Sequence, residues 1–187
     1  MSNHQGTGTP PATGLAPENV PVAGAPASLQ QAKMLWLVAV VIEVIHQALS
    51  VVMTFLNKEQ AVSQVKDSLP AGQDYTDQMI NASVIAAAIG ALVITLLILG
   101  VVVYFVLRLA QAGKKAITAQ KVLTYFAVYF VLRAFLLFLA SPTSDLPIAL
   151  YATDGILQII VAALAAVAAV IAMNKESADW LDKQVAP

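Results

Sequence analysis

The 187-residue chain is 59% apolar and only 11% charged, carries a net charge of -1 and has no cysteine. A soluble domain is about 45 to 50% apolar and about 25% charged, so too little charge is present to dress a water-facing surface, and a soluble globular enzyme is excluded. The missing cysteines exclude disulfide frameworks, thiolate metal sites and cysteine nucleophiles, and the near-neutral charge argues against nucleic-acid binding.

Residues 1 to 32 hold five of the nine prolines and four of the nine glycines, with Glu18 the single acid. Such a segment buries too little apolar surface to offset its chain entropy, and it reads as a disordered tail. No basic stretch precedes an apolar core there, so it does not read as a secretory signal peptide. Four segments then follow that are long enough to cross a hydrocarbon core of about 30 Å at about 1.5 Å per residue. They are residues 34–56, 81–107, 122–140 and 149–173, and since lipid leaves open sheet edges unsatisfied, an all-α integral membrane four-helix bundle is expected. Within residues 57–80, Val62, Val65 and Leu69 recur at helical spacing, which predicts a short amphipathic helix before Pro70-Ala71-Gly72. Asp74 and Asp77 suit the start of the next helix. The stretch Arg108 to Lys121 reads as a basic loop, carrying Arg108, Lys114, Lys115 and Lys121, whose charges hold the topology, as inner loops require, or bind anionic headgroups or an acidic partner. After the fourth span comes a short tail, 175–187, in which Ala178, Leu181 and Val185 keep helical spacing beside Trp180.

The positive charges orient these spans. With the N-terminus inside, Lys33, Arg108, Lys114, Lys115, Lys121, Lys175 and Lys183 are cytoplasmic and only Lys58 and Lys66 are outside, while the acids Glu59, Asp67, Asp74, Asp77, Asp145 and Asp154 fall on the outer side. The positive-inside rule therefore places both termini in the cytoplasm, and a bacterial plasma membrane is the expected location. Trp36, Tyr104 and Tyr125 fall near the inner interface, Phe55 and Tyr151 near the outer one.

Polar residues inside the spans carry the chemistry. Glu43, His46, Gln47, Ser50 and Thr54 share one face of the first span. On the third, Tyr125, Tyr129 and Arg133 do the same. Counted from the inner end, both Glu43 and Arg133 lie about 14 to 17 Å deep, which predicts an ion pair across the first and third helices. An ionised group alone at mid-membrane costs about 2.5 to 3.5 kcal/mol; pairing, with hydrogen bonds from His46, Gln47 or Tyr129, offsets much of that. The pair reads equally as a proton- or ligand-responsive site and as a device fixing which helices meet. One histidine and one carboxylate are too few ligands for zinc, so neither metal nor cofactor is expected. The other two spans are packing helices: Ser83, Ala87 and Ala91 on the second and Ala162 and Ala166 on the fourth give small faces, which let helices approach within the bundle or toward another subunit.

No catalytic constellation is present: the chain has no nucleophile elbow, Walker loop or dinucleotide fingerprint. Two classes remain. One is an accessory, assembly or scaffolding subunit, partnered by the lipid bilayer and by a membrane protein or further copies of itself. The other is a small transporter or proton-coupled carrier using the face around Glu43. The fragment Glu43-Val44-Ile45 in an apolar first span resembles the first helix of small multidrug-resistance transporters, which implies a glutamate coupling drug and proton binding; Arg133 would fill such a site with positive charge. The Pro/Gly/Ala/Thr-rich leader before an Ala/Val-rich four-span body resembles uncharacterised small four-span membrane proteins of actinobacteria. In topology the chain is also similar to eukaryotic four-span junction proteins, without the cysteines of their first outer loop.

Overall fold

The computed structural model describes residues 24–69, 75–111, 113–139 and 146–183. These residues form six α-helices and one 3-10 turn, with no strand among them. In chain order the helices are α1 (Ala27–Leu56), α2 (Lys58–Ser68), α3 (Asp77–Arg108), α4 (Lys114–Leu136), α5 (Ile148–Ala172) and α6 (Lys175–Lys183), with the 3-10 turn Leu137–Leu139 extending α4. Four of them, α1, α3, α5 and α4 with its 3-10 extension, are long and apolar enough to cross a membrane. The expected four-span, all-α architecture is therefore observed. Most of the expected tail, residues 1–23, lies outside the described residues, as do Pro70-Ala71-Gly72, Asp74 and Val185.

Three boundaries differ from expectation, each for a packing or capping reason. The first span begins at Ala27 instead of Met34, inside the stretch read as tail, because Ser28, Leu29, Ala32, Trp36 and Ala39 continue one buried stripe at three- and four-residue spacing. Pro26 stands at the N-cap position, where a missing N–H costs nothing. The second span begins at Asp77 instead of residue 81, at an acid expected to suit the helix start, with the Thr76 hydroxyl accepting from the Met79 amide at 3.3 Å. The largest correction concerns the basic loop. Lys114, Lys115 and Lys121 are not on a loop but on the first turns of α4, while Arg108 is the last residue of α3. Ala116, Ala119 and Leu123 explain this, since they extend the buried face of α4 back to its start. Gly113, at φ 97°, makes the reversal between the two helices in a conformation that suits glycine alone. The amphipathic helix expected after the first span is α2.

The spans form a ring. Helix α1 packs on α5 and α3, and α4 packs on α5 and α3, so α1 and α4 stand at opposite corners. Both described chain ends and the α3–α4 turn lie at one end of the bundle, here the terminal end; α2 and the α4–α5 connection lie at the distal end. The terminal half is closely packed around Leu29, Trp36, Val102, Val106, Leu123 and Val161. Alanines make that packing close: Ala119 and Ala127 on α4 and Ala162, Ala165, Ala168 and Ala172 on α5 are all buried. With lipid outside, close backbone approach and dispersion hold helices together. Ala162 therefore fills the packing role expected of it, and Ala166 is half-buried beside it. Large apolar side chains such as Val41, Leu97, Phe135 and Val170 point outward, as lipid-facing surfaces require.

The small face of α3 behaves differently. Ser83, Ala87 and Ala91 are exposed, and no other span packs closely on them. Ser83 donates its hydroxyl to the Ile80 carbonyl of its own helix at 2.8 Å. Only the terminal part of α3, at Leu99, Val102 and Val106, is buried, with Ile80 buried at the other end. The distal length of α3 thus stands off from α1.

Candidate functional site

At the junction between the packed and the open half, α1, α4 and α5 bring four ionisable side chains together. Glu43 lies on the stripe of α1 that also buries Trp36 and Ala39, so helical geometry alone turns it inward. Arg133, near the distal end of α4, reaches across the ring and grips it in a bidentate pair, Nη1 to Oε1 at 2.7 Å and Nη2 to Oε2 at 2.6 Å. The planar guanidinium matches the carboxylate edge to edge, a geometry lysine lacks. The same guanidinium carbon sits 5.1 Å from the centre of the Phe130 ring, and Phe130 in turn lies 6.4 Å from Trp36. Opposite corners of the ring are thus joined twice, by the ion pair and by the aromatic contact below it. The expected pairing of Glu43 with Arg133 is present.

Gln47, one turn beyond Glu43, donates its amide to Oε1 of that carboxylate at 2.7 Å. His46 is buried, with Nδ1 3.5 Å from Glu43 Oε1. Tyr129, expected to assist the pair, has a half-exposed ring that packs beside Phe130.

The fourth ionisable group is one that sequence reasoning assigned to the outer edge. Asp154 lies within α5, and its Oδ1 is 3.1 Å from His46 Nε2. Its Oδ2 accepts from Gln158 Nε2 at 2.8 Å. A signal for this exists in the chain: Asp154 and Gln158 repeat on α5 the i, i+4 acid–amide spacing of Glu43 and Gln47 on α1. In both helices the amide solvates the carboxylate of its own turn. His46 is therefore held between two carboxylates, one on its own helix and one on the neighbouring helix. Asp154 Oδ1 and Arg133 Nε are buried without an aligned hydrogen bond among the described residues.

Charge counting follows directly. Glu43 and Asp154 supply two negative charges and Arg133 one positive charge, so the cluster is neutral only when His46 carries a second proton. In a low-dielectric interior a net charge is expensive, which makes the occupancy of His46 the variable of the site.

Two clefts lead from the distal end toward this cluster. A vestibule of about 310 Å³ between α1 and α5 is lined by Ser50, Thr54, Asn57, Tyr151 and Asp154. A lateral cleft of about 140 Å³ between α1 and α3 is lined by Gln47, Ser50 and Thr54 on one side and Ala88, Ala91 and Thr95 on the other. Ser50 and Thr54 form the shared ridge. On the terminal side the cluster is backed by the buried Trp36, Ala39 and Phe130. A third cleft, lined by Arg108, Lys114, Lys115 and Tyr104, lies at the terminal end; Lys121 is exposed and does not join it.

No group of three or more histidine, aspartate or glutamate side chains arranged to hold a metal ion occurs among the described residues. No family model, curated protein or solved structure matches the chain.

Proposed function

We propose that this multi-pass protein has a non-catalytic role as an accessory, assembly or scaffolding subunit of a larger complex in the bacterial plasma membrane, with both termini in the cytoplasm. The observation that carries the proposal is the distal length of α3. Ser83, Ala87 and Ala91 make a face suited to close helix contact, and the protein's own spans leave it open. Elsewhere in the same fold, small faces are covered. The orientation is supported by seven lysines and arginines at the terminal end, among them Lys33, Arg108 and Lys115, against Lys58 and Lys66 at the distal end.

Purification from native membranes in mild detergent tests the role. A membrane-protein partner, or a second copy, is expected at fixed stoichiometry, and Ala87→Leu with Ala91→Leu is expected to release it. A monodisperse monomer, or a complex indifferent to those changes, removes the proposal. For orientation, a cysteine placed at Lys66 is expected to react with a membrane-impermeant maleimide in intact cells, and one at Lys115 only after lysis; the reverse pattern overturns it.

A small transporter or proton-coupled carrier is the second reading, and one observation favours it. Arg133 already occupies Glu43, but Asp154 adds a carboxylate whose nearest cationic partner is a titratable histidine, at the end of an open cleft. Flux in proteoliposomes that Glu43→Gln abolishes, with folding preserved, supports this reading; absence of any flux counts against it.

A further inference from the structure

We propose that the distal vestibule is a binding site for a small organic ammonium ion, which docks beside Asp154 in exchange for the second proton of His46. The inference deepens the carrier reading, yet the site itself requires binding and not transport.

Charge and position carry it. Glu43 is fully engaged by Arg133 through both oxygens. Asp154 is the carboxylate that lines the vestibule, and its direct cation-forming partner among the described residues is His46, at 3.1 Å, with Arg133 acting on it from farther off. The groups facing His46 are Glu43 on its own helix, Asp154 on α5 and, beyond Glu43, Arg133 on α4. Neither α2 nor α3 brings a charged side chain to the vestibule among the described residues. One positive charge beyond Arg133 makes the cluster neutral, and two sources can supply it: an imidazolium from within or a cation arriving through the vestibule. Holding both, or neither, leaves a net charge in a low-dielectric site. The exchange is therefore one for one: the His46 proton passes to water through the vestibule as the ammonium N–H groups reach Asp154, and no covalent bond is made or broken.

The lining sets the ligand class. Calcium or magnesium wants six or more oxygen ligands, whereas this lining offers one carboxylate, the polar Ser50, Thr54 and Asn57, and the apolar Met53, Leu146 and Tyr151 ring. That mixture fits a charged head on a short apolar body, with the aromatic face adding a cation–π contact. A volume of about 310 Å³ limits the body to a few carbons or one ring.

The experiment is isothermal titration of the full chain in detergent with methylammonium, butylammonium, benzylammonium and sodium, each in two buffers of different ionisation enthalpy. Saturable binding of butylammonium or benzylammonium is expected, with close to one proton released per cation, and sodium giving none. Asp154→Asn is expected to weaken binding by about tenfold or more, and His46→Gln to bind with no proton released. Ser50→Phe fills the vestibule while leaving the ionisable cluster untouched, and it is expected to abolish binding in a protein whose elution and helix content match the parent. Absence of saturable binding, binding that Asp154→Asn and Ser50→Phe both leave unchanged, or binding without proton release overturns the proposal. Binding without flux in proteoliposomes removes the carrier reading and leaves the site standing; flux abolished by Glu43→Gln without any binding at the vestibule does the opposite.

Discussion

The two halves of the bundle are built from similar apolar helices and reach opposite results. In the terminal half, Leu29 and Trp36 on α1, Val102 and Val106 on α3, Leu123 on α4 and Val161 with Ala165 on α5 close around one another. In the distal half the inward positions of α1 are Gln47, Ser50 and Thr54, those of α3 are small, and clefts separate the helices. Side-chain size and polarity on the inward faces make the difference. The ionisable cluster sits where one regime gives way to the other: its terminal side is dry, and its distal side is reached through Ser50 and Thr54.

The strongest way to break this arrangement is to remove one charge at the junction. Arg133→Met leaves the buried Glu43 with Gln47 and His46 but without its bidentate partner, and losing one partner of a buried pair costs about 3 to 5 kcal/mol. Adding Glu43→Gln to that variant is expected to restore most of the loss, as read from denaturant unfolding in mixed micelles. A single variant as stable as the parent would show that the junction is not held by the pair. Next in size is the contrast between halves: Trp36→Ala empties a packed position and is expected to cost about 3 to 5 kcal/mol. Phe55→Ala, at the open end and half exposed, is expected to cost less than about 1 kcal/mol. Equal losses would erase the distinction. Smaller again, Gln158→Leu leaves Asp154 Oδ2 without its donor and is expected to cost about 1 to 3 kcal/mol in the same assay. The last measurement alters stability least. Because the chain has no cysteine, single cysteines at Thr54 and Asn57 are expected to react with a water-soluble maleimide, while those at Ala127 and Ala168 stay unreactive until the protein is unfolded.

Much of this architecture is legible in the residues, and the exceptions share a cause. Four spans follow from long apolar runs of the right length, and the pairing of Glu43 with Arg133 follows from equal depth and the expense of isolated charge. Helix starts were misplaced where an interface, and not hydropathy, extends the helix: Leu29 and Ala32 add turns to α1, Ala116 and Ala119 to α4. Lysines at the start of α4 look like loop residues because hydropathy registers their charge and misses the alanines between them. Asp154 was assigned to the edge because it lies near the outer end of its span. Its inward direction depends on the rotation of α5 against α1, which no single-helix pattern contains. Ring order is likewise a property of pairs of faces: nothing in α1 or α4 alone says that they stand at opposite corners.

One contact at the terminal end bears on how the protein is made. The Ser28 hydroxyl donates to Glu176 Oε2 at 2.8 Å and shares a 2.9 Å hydrogen bond with the Ser177 hydroxyl, joining the start of α1 to α6. During synthesis the first helix to enter the membrane therefore waits for the last helix to leave the ribosome before its own beginning is covered. Until then Ser28 and Leu29 lack that covering, offering a surface by which quality control can distinguish an unfinished chain from a finished one. A chain interrupted before Lys175 keeps all four apolar helices and leaves the Ser28 hydroxyl without either of these partners.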